Sequence, residues 1–255
     1  MLMPRTILLK LAPTQTEACR GCGVRDAALF GALSERGLER LHEAGDEMGG
    51  AGGISSVHLP ADRRMYALGA QGGAVFTVRE GLVRLERVSA AGRRCIVRLA
   101  GPGDLLGAEA LLGERYTDDA VACTDLALCR IPVPVLELLR KDEPALQLAL
   151  MRRWQQALDA ALTWRIDLQA GPASQRVLRL FAQLSRQAAP GEPIWLPRRE
   201  ELADLLDMAM ETASRAVSAL RRDGVIELMP GGRRARLDAG ALARALAKSN
   251  GTPNH

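Results

Sequence analysis

Between residues 148 and 168 the chain carries two apolar stripes at once. Leu150, Trp154, Ala157, Ala161, Trp164 and Leu168 step by four, three, four, three and four, and Leu148, Met151, Leu158 and Leu162 run beside them. That is helical spacing, and one helix over residues 133–169 would exceed ~30 Å at 1.5 Å per residue. A helix with two apolar stripes has to bury both faces. One can lie on the domain that precedes it. The other needs a further surface, most simply the same helix of a second subunit. Burial within a single chain is the plainer alternative. "AGP" (170–172) ends the helix, and Pro172 opens a different domain.

Upstream the period is two. "GAVFTVREGLVRLERVSAAGRRCIVRLAGPGDLLG" alternates apolar and polar residues, with turns at Glu80-Gly81, Ala91-Gly92 and Pro102-Gly103, and "AVACTDLALCRIP" alternates again. Short strands at regular spacing between glycine turns predict an antiparallel β-barrel or sandwich, here taken as a barrel of jelly-roll type. Before it, Ser34 caps a predicted helix over 33–48 with Leu33, Leu38 and Leu41 on one face, and "GGAGG" (49–53) is a loop. The expected class is therefore α+β, divided into a sensory domain over 1–132, a dimerisation helix over 133–170 and a third domain over 171–255.

That third domain reads as helix ("SQRVLRLFAQLSRQ"), turn and strand ("PGEPIWLP"), two short helices ("RREELADLLDM", "AMETASRAVSALRRDG") and a hairpin ("VIELMPGGRRARLD"). Two helices on a tight turn followed by a hairpin make a winged helix-turn-helix. In the second of them Glu211, Ser214 and Arg215 stand at i, i+3 and i+4 and share one face, with Val217 and Leu220 opposite. Arg forks onto guanine O6 and N7, Glu accepts from cytosine N4, and Ser bonds or touches thymine. Arg221, Arg222, Arg233, Arg234 and Arg236 are placed for phosphates. A surface helix with an ordinary Glu–Arg pair is the bland alternative. Charge leans the same way. The net charge is +4; residues 172–255 hold 13 Lys and Arg against 9 Asp and Glu, while residues 1–171 hold 21 of each.

No apolar run approaches the ~18 residues of a membrane span, and the first residues lack a signal-peptide pattern, so a cytoplasmic protein with no membrane partner is expected. Five cysteines cannot all pair in disulfides within one chain, which fits a reducing compartment. "GPGDLLG" lacks the Lys-Ser/Thr of a phosphate-binding loop, and no G-x-G-x-x-G is present. An enzyme is not expected; a C-x-x-C redox or electron-transfer protein is the rival from another class.

Over roughly residues 19–245 the sequence resembles the Crp/Fnr family of bacterial transcription regulators. The resemblance rests on the 73–114 strand region with its G-D-x-x-G turn (Gly103, Asp104, Gly107), on the long helix, and on "ELADLLDMAMETASRAVSALRRDGVIEL". The last is the most specific, and its E-x-x-S-R is what the Fnr branch uses on TTGAT half-sites. By resemblance Glu211, Ser214 and Arg215 read bases, the protein is a homodimer on double-stranded DNA, and RNA polymerase is its further partner. Asp207 stands where the turn usually has Gly, and Ala209 where a Ser or Thr often caps the helix. Tyr116-Thr117 stands where cyclic-nucleotide binders have Arg-Ser, and Asp118 and Asp119 follow. Carboxylates beside a phosphate repel it, so cyclic AMP is not the expected effector.

Fnr-like oxygen sensors hold a [4Fe–4S] cluster with an N-terminal cysteine group and one late cysteine. Cys19, Cys22 and Cys129 match three of the four, and Ala28 stands near the missing position. Asp26 is the nearest substitute ligand, with Cys123 and Cys95 as the other options. Three readings stay open. One is a cluster completed by a substitute ligand. Another is a Cys19–Cys22 thiol switch. The last is structural cysteines with the effector elsewhere, including haem; His42, His58 and His255 are the only histidines.

Overall fold

The computed structural model describes residues 22–24, 31, 33–47, 53–90, 92, 94–189 and 191–250. It has two compact units. One holds the described residues up to Val83 together with Ala100–Trp154, and the other holds Arg84–Leu99 together with the described residues from Gln155.

In chain order the first elements are α1 (Glu35–Glu47), β1 (Ser55–Leu59), β2 (Arg64–Tyr66), β3 (Ala74–Glu80), β4 (Val83–Val88), β5 (Arg94–Ala100), β6 (Leu105–Leu106), β7 (Asp119–Ala122) and β8 (Leu126–Pro132). Ser34 caps α1 as expected, its Oγ accepting from the Gly37 N–H at 3.0 Å. The strands form two four-stranded sheets, ordered β1-β8-β3-β6 and β2-β7-β4-β5. The expected barrel is thus a pair of sheets with edge strands among the described residues, a jelly-roll arrangement and not a closed cylinder. In the first sheet β8 lies between β1 and β3, and Cys129 stands opposite Ser56 on one side and Thr77 on the other.

The G-D-x-x-G turn has a mechanical explanation. Gly103 (φ 90°) and Gly107 (φ 71°) both take left-handed backbone, which favours glycine. A Cβ on Gly107 would also sit 2.8 Å from the Tyr116 ring. Asp104 closes the turn, its carboxylate accepting from the Gly101 N–H at 2.8 Å.

Two helices follow where one was expected: α2 (Val133–Asp142) and α3 (Pro144–Gln169). Pro144 has no N–H and disfavours helical backbone at the residue before it; Glu143 sits at φ −125°, ψ 83°. The break lets α2 and the start of α3 close on one apolar cluster, in which Leu38 and Leu41 of α1, Val75, Ile131, Val135, Leu139, Leu146 and Ala149 are buried. Ser34 Oγ also donates to Glu143 Oε1 at 3.3 Å, tying the start of α1 to the break.

The second unit continues with α4 (Ala173–Gln187), β9 (Ile194–Trp195), α5 (Arg199–Leu205), α6 (Met210–Arg222), β10 (Ile226–Leu228), β11 (Arg234–Leu237) and α7 (Ala239–Asn250). The wing is a three-stranded sheet in the order β10-β11-β9. Leu180 and Phe181 of α4, Leu202 and Leu205 of α5, and Val217 and Leu220 of α6 are buried. The helix-turn-helix and its wing follow the sequence pattern element by element. Helix α7 was not anticipated: the reading ended at the hairpin.

Candidate nucleic-acid interface and sensory thiols

Helix α6 buries Ala213, Val217 and Leu220. The opposite face stays outward, with Glu211 and Arg215 exposed and Ser214 half-buried. The three predicted base readers therefore share a free face at the start of the helix. Arg215 Nη2 donates to Thr212 Oγ1 at 3.4 Å, a contact on its own helix that steadies the guanidinium. No side chain caps α6 at Ala209.

The turn before α6 is built without its usual glycine. Asp207 takes φ 47°, a left-handed conformation that Asp tolerates better than most residues. Arg176 of α4 fixes it by donating to the Leu206 carbonyl and, at 3.3 Å, to the Asp207 carbonyl. Met208 N–H donates back to the Ala203 carbonyl at 3.0 Å. Nothing in the spacing had marked Arg176, because its role is to satisfy two carbonyls thirty residues away.

The arginines expected at phosphates differ in freedom. Arg221 and Arg222 are exposed at the end of α6. Arg234 lies 3.6 Å from Glu192, and Arg236 lies 3.6 Å from Glu227, all four side chains being largely exposed. Exposed pairs of this kind are worth about 0–1 kcal/mol, so a phosphate can displace them. Arg233 is different. Its Nη1 donates to Glu201 Oε2 at 2.6 Å and its guanidinium lies 5.5 Å from the centroid of the Trp195 ring. In this structure Arg233 holds the wing to α5. At the start of α5, burial lowers the pKa of Arg199, which stays a cation at neutral pH.

Of the four expected metal ligands, Cys19 and Asp26 lie outside the described residues. Cys22 and Cys129 are both partly accessible. Cys129 packs on the cluster that seats α2 and the start of α3. Cys123 is buried in the turn between β7 and β8, where its N–H donates to the Leu82 carbonyl at 2.8 Å. Cys95 is half-buried on β5. Among the described residues no three His, Cys, Asp or Glu side chains gather as a metal site. A cubane cluster takes four thiolate-type ligands, and only two of the expected four, Cys22 and Cys129, are among the described residues.

Tyr116, between β6 and β7, is buried. Its ring stacks on Tyr66 with centroids 4.1 Å apart, and its hydroxyl donates to the Ala74 carbonyl at 2.7 Å. Asp118 and Asp119 are buried next to it. Asp119 accepts from the Leu68 N–H at 3.0 Å and from Arg64 at 3.4 Å.

Residues 56–142 match the cyclic nucleotide-binding domain model, and residues 175–245 match the Crp-like helix-turn-helix domain model. The chain is 35% identical to the "Cyclic AMP receptor protein" of Thermus thermophilus over 68% of its own length and 79% of that protein. The chain belongs to the Crp/Fnr family. It is 32% identical to the "Nitrogen fixation regulation protein FixK" of Azorhizobium caulinodans, over 67% of this chain and 70% of that one. Among solved structures, a CRP/FNR-family transcriptional regulator from Thermus thermophilus aligns with TM-score 0.57 at 27% identity, covering 76% of this chain and 100% of that one. FixK2 from Bradyrhizobium japonicum shares the fold, with TM-score 0.65 at 24% identity over 79% of this chain and 99% of its own. As a Crp/Fnr protein the chain is a DNA-binding transcription regulator and not an enzyme. No described helix is long and apolar enough to cross a membrane.

Giving α6 the cap it lacks should stabilise this Crp/Fnr protein. Ala209→Ser offers an oxygen to a free N–H at the start of the helix, worth about 1 kcal/mol. Thermal and urea unfolding should both show the gain, with DNA sequence preference unchanged.

Proposed function

We propose that this regulator binds as a homodimer to a TTGAT-like palindrome, reading bases with Glu211, Ser214 and Arg215, and that oxygen or redox state sets its activity through thiolates at Cys19, Cys22 and Cys129. The observation that carries the DNA reading is the free face of α6, with donor and acceptor groups outward and Ala213, Val217 and Leu220 buried behind it. Dimerisation is supported by α3. Met151, Trp154, Leu158, Leu162 and Ile166 are all more than half exposed on a single chain, an apolar surface that water does not favour. Two copies of α6 must then enter major grooves about one turn, ~34 Å, apart. RNA polymerase is the partner on which a bound regulator would act.

The sensing reading rests on thiol position. Cys22 lies shortly before α1, and Cys129 touches the cluster that α1, α2 and α3 share. A [4Fe–4S] cluster held by Cys19, Cys22, Cys129 and an oxygen ligand such as Asp26 would supply an oxygen-labile centre at that place, because a carboxylate is a harder and weaker ligand for iron than a thiolate. Against cyclic AMP stand the stacked Tyr116 and the buried Asp118 and Asp119.

Three outcomes test these readings. Arg215→Ala should cost about 1–3 kcal/mol on the specific site and relax preference at one base pair, whereas Arg234→Ala should weaken binding to all sequences alike; gel shifts on specific and random DNA separate the two. Leu158→Glu should abolish both dimerisation and DNA binding while the sheets stay folded, seen by sedimentation and circular dichroism. Protein prepared without oxygen should be brown with about four irons per subunit, and Cys22→Ala or Cys129→Ala should remove the colour while Cys95→Ala should not. Colourless anaerobic protein whose thiol titre falls by two on mild oxidation would assign the pair to a thiol switch.

A further inference from the structure

Positive charge is concentrated in a second place. Residues 1–171 hold 21 basic and 21 acidic residues, yet residues 84–99 alone hold five arginines, Arg84, Arg87, Arg93, Arg94 and Arg98, against one acid, Glu86. That balance of +4 equals the net charge of the entire chain. These residues form the β4–β5 hairpin, which lies in one compact unit with the helix-turn-helix and the wing.

Buried charge seats the hairpin there. Strand β4 alternates, so Arg84 and Glu86 share one face, and both are buried. Arg84 Nε donates to Glu86 Oε1 at 2.6 Å, and Arg84 Nη1 lies 3.7 Å from Oε1 of Glu201 in the first turn of α5. Glu201 Oε2 accepts from Arg233 Nη1 and from the Arg198 backbone N–H, both at 2.6 Å. One carboxylate thus places the hairpin, the start of α5 and the wing side by side. Arg198 and Arg234, which flank that carboxylate's partners, have exposed side chains.

Away from this seat the hairpin turns cations to water. Arg94 Nη1 donates to Glu86 Oε2 at 2.9 Å, but the Arg94 side chain is 58% exposed. A guanidinium has five N–H donors, so Arg94 can keep Glu86 and still bind an anion. Arg87 takes the other face of β4 and is exposed. Among the described residues β5 is an edge strand and β4 is an inner one. Charge on an edge guards it against stray pairing. That explains neither the single sign of the exposed charges nor the presence of Arg87 on an inner strand. Crowded like charges repel one another, and an anionic partner relieves the repulsion.

We infer that the β4–β5 hairpin is a second contact to the DNA backbone, with Arg87 and Arg94 meeting phosphates alongside Arg198 and Arg234. Arginine forks onto phosphate oxygens, and such contacts add affinity without sequence preference. The inference rests on DNA binding by the helix-turn-helix and holds whatever sequence α6 reads.

The test measures the salt dependence of DNA affinity for the 255-residue chain on specific and on random duplexes. Each phosphate contact contributes about 0.9 to the slope of log K against log salt, or about threefold in affinity between 50 and 200 mM. Arg87→Gln and Arg94→Gln should each lower the slope by about that amount per contact on both duplexes, and the two losses should add. Arg94→Lys should keep most of the slope. Arg87→Gln leaves the buried pairs of Arg84, Glu86 and Glu201 in place, so it is the variant least able to disturb the fold. Arg63→Gln removes an exposed arginine between β1 and β2 and should change nothing. Unchanged slopes for both hairpin variants, beside a lowered slope for Arg234→Gln, would overturn the inference. An equal drop in Arg63→Gln would do so too, because net charge alone would then account for the effect. Unchanged slopes together with lost transcription activation by purified polymerase would overturn it in favour of an acidic protein surface as the hairpin's partner. A chain that shows the drop on random DNA but has no preference for TTGAT keeps the hairpin contact and loses only the base reading proposed for α6.

Discussion

The seating of Leu146 and Ala149 is the constraint on which the rest of the long helix depends. Both are buried against Leu38, Leu41, Ile131 and Leu139, and burying one leucine side chain contributes about 1.5–3 kcal/mol. Past these first turns α3 has little cover of its own, with Met151, Leu158, Leu162 and Ile166 exposed. Helices in proteins gain most of their stability from tertiary packing, and the proposed second subunit would supply it to the middle of α3. Its direction is set where it is anchored. Cys129 touches that anchor from β8, and Ser34 reaches Glu143 at the break just before it. The thiol chemistry proposed at Cys129 would act directly on that anchor.

Much of this was legible in the sequence, and the exceptions have identifiable causes. The alternation over 74–132 gave strands, and the Glu211–Ser214–Arg215 face is outward as its spacing requires. The break at Glu143 was missed because apolar periodicity runs through it, although Pro144 carried the signal. Helix α7 was missed because "AGALARALAKSN" is short and follows a hairpin that already completes the motif. Alternation reports which face a side chain takes and not what covers that face, and Arg84 and Glu86 are buried. Arg233 was grouped with the other wing arginines for the same reason. Only the fold brings Glu201, thirty-two residues earlier, to within 2.6 Å of it.

The absent glycine at position 207 shows how a local departure is absorbed. Left-handed backbone costs a non-glycine residue roughly 1–2 kcal/mol. Arg176 offsets part of that cost by donating to two carbonyls of the turn, and hydrogen bonds from charged groups contribute about 1.5–3 kcal/mol each. The turn keeps its geometry by drawing on α4, so the angle between α5 and α6 is fixed by a side chain outside the helix-turn-helix itself.

Because the face of α6 is already assembled, an effector gains nothing by creating it. In the proposed homodimer what remains to be controlled is the placing of two such faces. Coupling of this sort requires only about 1–3 kcal/mol between sites. Uncovering one or two methylene groups where Leu146 and Ala149 are seated costs about 0.8 kcal/mol each. Modest repacking there would therefore reach the scale that regulation needs, without unfolding any element of the DNA-binding domain.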